Sequence, residues 1–159
     1  MTADPQITPR LFDAILAVPG NLAALETADP DEALAQFRLL ATRSGRSIYL
    51  WDPERGIRSL REPDVCVAGS QRLVDALRYI LHSMHFGVYL FRGFGDQFKP
   101  PVPALLRRIG RLRGGNERKL VLVGAAFDLP EDVDPLFDRL RDAWQVRLRP
   151  RLRDGRWMS

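Results

Sequence analysis

The run Lys119-Leu-Val-Leu-Val-Gly-Ala-Ala-Phe127 is apolar without a break from Leu120 to Val123. A strand wet on one face alternates polar with apolar residues, so an unbroken branched run demands cover on both faces. A parallel sheet with helices above and below supplies that cover, through crossover connections long enough to hold a helix. The stretch from Gly87 to Phe94 is a second such strand and is expected at the sheet centre. Asn21-Leu-Ala-Ala-Leu-Glu26 reads as the first strand, although its alanines and leucines suit a helix equally. Ser47-Ile-Tyr-Leu-Trp51 reads as the second, with a turn at Asp52–Gly56 and a pairing or extending segment at Ile57–Leu60.

Between these runs the spacing turns helical. Thr8-Pro9 with Leu11, Phe12, Ile15 and Leu16 predicts an amino-terminal helix over residues 9–18. Asp29-Pro30-Asp31-Glu32 is a helix start with the elements of a capping box, followed by Ala33, Leu34, Phe37, Leu40 and Ala41 on one face and a stop at Gly45. Ser70 is expected to cap a helix striped by Leu73, Leu77, Ile80, Leu81 and Met84, after a possible short strand at Val65–Val67. Leu105, Leu106, Ile109 and Leu112 mark another helix, closed by Gly114-Gly115, with Arg107, Arg108, Arg111 and Arg113 on its other face. A last helix is expected around Leu136, Phe137 and Leu140, then an alternating edge strand over Trp144–Arg149. The fold class is therefore α/β: a three-layer sandwich on a mostly parallel, roughly five-stranded sheet. One domain is expected over residues 1–150, with its core over 21–150 and an arginine-rich tail at 151–159.

Composition narrows function mainly by exclusion. The single cysteine, Cys66, rules out an internal disulfide and a zinc site built on several thiolates. The start Met-Thr-Ala-Asp-Pro-Gln lacks signal-peptide character and no apolar run reaches about 20 residues, so a cytoplasmic protein without membrane contact is expected. The net charge is +4, and 22 of the 24 basic residues are arginine, which raises the prospect of an anionic partner. Arg107, Arg108, Arg111 and Arg113, with Arg147, Arg149, Arg151 and Arg153 on one side of the terminal segment, form the candidate patch for such a partner. The plainer reading, a solvated helix face and a charged edge strand, is preferred.

Other chemistry finds little support. His82 and His85 can share a helix face, but without an evident third ligand they read as a polar last turn favoured by the helix dipole. Ser44-Gly45 and Gly69-Ser70 sit at helix ends, where capping explains the serines. A receiver domain is a competing α/β layout, faintly echoed by Arg149-Pro150, but Phe91-Arg92-Gly93 offers no aspartate to phosphorylate. Even then the chain would be a pseudo-receiver.

Taken in order, Ile48–Trp51 with Gly56, Val88–Phe91 with Phe94, the arginine-flanked helix Leu105–Leu112, and Leu120–Val123 leading to Leu129-Pro130 resemble the amino-terminal domain of AAA-type ATPases first catalogued as hypothetical chloroplast reading frames, with cyanobacterial and other bacterial relatives. The resemblance runs from about Leu11 to Pro150. It implies a degenerate phosphate-loop fold of AAA type, without the catalytic carboxyl-terminal module. The residues agree with decay. A phosphate loop needs glycines and a lysine, and Thr27-Ala-Asp-Pro-Asp-Glu32 has neither. The strand ending at Phe91 would need acids for metal and water, yet Arg92 and Gly93 follow it; Gly93 also stands where the relatives carry an aspartate.

The expectation is a non-catalytic interaction or regulatory module with no cofactor and no metal. Its partner is expected to be a protein, an AAA-type ATPase or a second copy of the chain. Nucleic-acid binding through the arginines and non-hydrolysing nucleotide sensing at the strand ends are the alternatives.

Overall fold

Residues 7–83, 85–113 and 118–141 are described by a computed structural model. Along them run α1 (Ile7–Ala17), β1 (Leu22–Glu26), α2 (Pro30–Ser44), β2 (Ile48–Asp52), β3 (Gly56–Ser59), α3 (Leu73–His82), β4 (Gly87–Phe91), α4 (Val102–Gly110), β5 (Arg118–Gly124), a 3-10 turn at Asp134–Leu136, and β6 (Asp138–Arg141). The strands form one sheet of six in the order β3-β2-β4-β5-β1-β6. Among the described strands only β3 runs antiparallel to its neighbour. The α/β layout is as expected, with one strand more than the rough count.

Side-chain parity divides the core in two. Leu22, Ala24, Trp51, Tyr89, Phe91, Leu120 and Leu122 face α3 and α4, while Ala23, Leu25, Leu50, Val88, Leu90, Val121 and Val123 face α1 and α2. The first layer is aromatic in register: Tyr49 stacks on Tyr89 at 4.9 Å and Trp51 on Phe91 at 5.2 Å. Burial of Tyr89 pushes its phenol up to about 12. The second layer is smaller and branched, which lets α1 and α2 sit close.

Several expectations are corrected. No helix forms around Leu136, Phe137 and Leu140: Pro135 supports only the 3-10 turn, and the chain then pairs with β1, placing Asp138 to Arg141 opposite Ala23 to Glu26. Phe137 and Leu140, which a helix would put on one face, instead enter opposite halves of the core. The Trp144–Arg149 strand lies outside the described residues, as does Met84. α1 spans Ile7–Ala17 rather than 9–18.

Ser70 does not cap α3. It is buried, its Oγ donates to the Val67 carbonyl at 2.6 Å and accepts from the Ile57 amide at 2.9 Å, and its carbonyl accepts from Trp51 Nε1 at 2.7 Å. The α3 cap comes from far along the chain, where Gln97 Oε1 accepts from the Leu73 amide at 2.9 Å. Val65–Val67 runs beside β3 and pairs by one antiparallel bridge between Arg58 and Cys66. Among the described residues no helix is long and apolar enough to cross a membrane.

Because Ser70 satisfies both a buried amide and a carbonyl, Ser70→Ala should lower unfolding free energy by about 1–3 kcal/mol. Urea denaturation followed by circular dichroism checks this, with an unchanged m-value showing that the native state is retained.

Candidate functional site at the carboxyl ends of the strands

From β1 the chain crosses by α2 to β2, beyond β5 and β4, whereas from β5 it passes to β6 on the far side of β1. The adjacent strands β1 and β5 therefore send their chains in opposite directions. The crevice outside their carboxyl ends is where an open parallel sheet places a ligand.

Phe127 and Arg139 cover part of that crevice. After β5, Phe127 folds back over Gly124 so closely that an added Cβ there would stand 2.6 Å from its ring. Phe127 meets Phe94 edge-on at 5.4 Å, and Phe94 meets Phe98 at 5.3 Å. Arg139 lies over the Phe127 ring at 5.4 Å and pairs with Glu26 at 2.6 Å and with Asp134. The Thr27 amide donates to the Gly124 carbonyl at 2.9 Å, tying the two strand ends together.

The segment after β1 spends its polar groups locally. Thr27 Oγ1 accepts from the Asp29 amide at 3.3 Å, and Asp29 Oδ1 accepts from the Glu32 amide at 3.1 Å. Only half of the expected capping box forms, since Glu32 turns its carboxylate to Gln36 at 2.9 Å. Pro30 leaves one fewer amide at the α2 terminus.

Across the sheet end, Arg92 follows β4 and its Nη1 lies 2.7 Å from Asp31 Oδ1 in the first turn of α2. A phosphate-loop hydrolase needs the opposite polarity, cations after the first strand and acids after this one. Both positions are reversed here, and the two reversed charges neutralise each other. Gly93 bends the chain away with φ 68°, a left-handed conformation, and a Cβ there would come 3.2 Å from Pro53.

Of the arginines predicted to form one patch, Arg107, Arg108, Arg111 and Arg113 lie toward the amino ends of the strands. Arg107 and Arg108 are in the last turn of α4, but the helix closes at Gly110, so Arg111 is its cap and Arg113 lies beyond it. This early stop, well before Gly114-Gly115, reflects Asn21: its Nδ2 donates to the Ile109 carbonyl at 2.8 Å and the Leu112 carbonyl at 2.9 Å. Arg107 is 4.0 Å from Asp132, while Arg108, Arg111 and Arg113 are exposed and carry no carboxylate partner among the described residues. Arg147, Arg149, Arg151 and Arg153 lie outside the described residues.

Arg118 and Lys119, which extend this basic run in sequence, are spent on structure. Arg118 Nη1 donates to the Ile80 and Leu81 carbonyls, and the buried Lys119 Nζ donates to the Val18 and Gly20 carbonyls at 2.8 and 2.6 Å. His82 Nδ1 meets the Arg78 carbonyl at 2.8 Å, and no group of His, Cys, Asp or Glu among the described residues is arranged to hold a metal ion.

Residues 12–141 match the family of SpoVK-like AAA ATPase amino-terminal domains. The chain belongs to that family. The matched segment ends with β6, so it contains the whole described sheet. The α/β sandwich is accordingly AAA-like, and the resemblance seen in the sequence holds at the level of an AAA ATPase amino-terminal domain; the match names no chloroplast or cyanobacterial branch. No curated protein and no solved structure matches the chain.

Sequence reasoning missed Asn21, Gln97, Phe127 and Arg139 as determinants of this SpoVK-like domain. Each acts on a partner remote in sequence, and only Phe127, an aromatic after a strand-ending glycine, carried a visible hint. Because the Arg92–Asp31 pair is exposed, Arg92→Ala should change unfolding free energy by less than about 1 kcal/mol. Thermal and urea unfolding beside the unaltered chain measure this.

Proposed function

We propose that this SpoVK-like domain is a non-catalytic interaction or regulatory module whose partner is a protein, either an AAA-type ATPase module or a second copy of the chain. The observation that carries the reading is the reversed pair: Asp31 where phosphates would need a cation and Arg92 where metal and water would need acids, joined at 2.7 Å. Phe127 and Arg139, which lie over the β1–β5 strand ends, support it, since a nucleotide bound there would have to displace them. Membership in a family of AAA ATPase amino-terminal domains is compatible with such a role. The reading places the module in the cytoplasm and gives it no cofactor.

Titration calorimetry with ATP and magnesium, run with a phosphate-release assay, tests the proposal. The expected result is no turnover and binding weaker than about 1 mM. Micromolar binding with turnover would overturn it.

A second reading, nucleic-acid binding, is favoured by Arg108, Arg111 and Arg113 at the α4 terminus, exposed and without a carboxylate partner among the described residues. It predicts oligonucleotide affinity that falls steeply with salt and drops when Arg107, Arg108 and Arg111 become alanine. Fluorescence anisotropy at low salt decides, and absence of binding there removes the reading.

A further inference from the structure

A second concavity lies at the carboxyl end of the sheet, displaced from the β1–β5 crevice toward β2 and β3. It is a cleft of about 490 Å³ between α2, the β2–β3 turn and the segment after β4. Leu34 and Leu50, both buried in the core, present apolar surface to it, and Pro53 and Gly93 form part of its wall. Its volume falls within the range of small-ligand pockets.

The guanidinium groups around it are under-used. Arg58 on β3 is largely buried, with 13% of its side chain exposed, and donates through Nη1 to Asp52 Oδ2 at 3.1 Å. A guanidinium carries five N–H donors. Nε and Nη2 of Arg58 make no hydrogen bond among the described residues, and neither is sealed from solvent. Asp52 has little left to offer it, because its other oxygen already accepts from the Glu54 and Arg55 amides at 3.0 and 2.9 Å. Among the described residues Arg92 is likewise bound through Nη1 alone, to Asp31. Arg38, on the α2 side, has no side-chain partner among the described residues.

We propose that this cleft binds a small organic anion, a carboxylate or phosphate group carried on an apolar body, with the spare forks of Arg58 and Arg92 and the rim cation of Arg38 taking the anion while Leu34, Leu50 and Pro53 take the body. Planar guanidinium forks suit carboxylate and phosphate oxygens because two parallel N–H bonds fit either group. Glu54, exposed on the turn and without an ion-pair partner among the described residues, is the one uncommitted acid in the lining. It opposes the anion and keeps the affinity moderate. The site is independent of whether the domain also docks on a protein.

The test is two-dimensional amide NMR of the chain titrated separately with phenylphosphate, phenylacetate and benzyl alcohol, the last as an uncharged control. Saturable shifts at Leu34, Glu54 and Gly93 are expected with at least one of the two anions and not with the alcohol. A response to phenylphosphate alone or to phenylacetate alone tells which anion the site takes. Arg58→Lys, which keeps the charge and loses the fork, should weaken binding by about tenfold. Arg38→Gln, an exposed change that leaves the core intact, should weaken it by roughly twofold to fivefold, and Glu54→Gln should tighten it by a similar factor. No saturable shift with either anion would overturn the proposal. So would shifts as large at Arg108, Arg111 and Arg113 as in the cleft, or binding indifferent to Arg38→Gln and Glu54→Gln.

Discussion

Everything in this domain follows from the requirement that β4 and β5 meet no water on either face. All of Gly87–Phe91 and the stretch from Lys119 to Val123 are buried. A strand of this kind is stable only between two helical layers, and it reaches its parallel neighbour only through a connection long enough to carry a helix. That single condition places α1 and α2 on one side, α3 and α4 on the other, and every strand but β3 in parallel. It also separates the two ends of the sheet by chemistry.

At the amino ends of the strands, side chains from one strip of the sheet close the helices. Lys119 takes carbonyls of the α1 exit, Arg118 those of α3, and Asn21 those of α4. The last carbonyls of a helix have no partner within it, so a buried helix end needs donors from elsewhere. Three donors so placed fix the helices against the sheet edge. They also explain why part of the basic character of the chain is internal: a buried cation bonded to carbonyls serves the fold and is withdrawn from any outside anion. Arg108, Arg111 and Arg113 remain at the surface beside this end.

At the carboxyl ends the chain has settled its own charges and volumes. Arg92 meets Asp31, Arg139 meets Glu26 and Asp134, and Phe127 covers Gly124. The exposed pairs add little stability. Their weight lies in their placement, because Asp31 and Arg92 meet where a phosphate-loop hydrolase carries groups of the opposite sign. The neighbouring cleft differs in that Arg58, which lines it, is held by a carboxylate whose capacity is nearly exhausted, which leaves guanidinium donors without a partner among the described residues.

The sequence by itself determined the layers. Unbroken apolar runs at Gly87–Phe91 and Leu120–Val123, the Asp29-Pro30 start of α2 and the reversed charges at Asp31 and Arg92 are local patterns, legible because periodicity and capping act within a few residues. Tertiary structure alone decided the rest. Asp138–Arg141 is a strand because the free edge of β1 lies beside it, Ser70 is a buried tie because Trp51 and Ile57 close around it, and α4 stops where Asn21 reaches its carbonyls. The cleft, too, exists only where α2, β2, β3 and the segment after β4 converge. These outcomes depend on donors and edges contributed from far along the chain, and no window of neighbouring residues contains them.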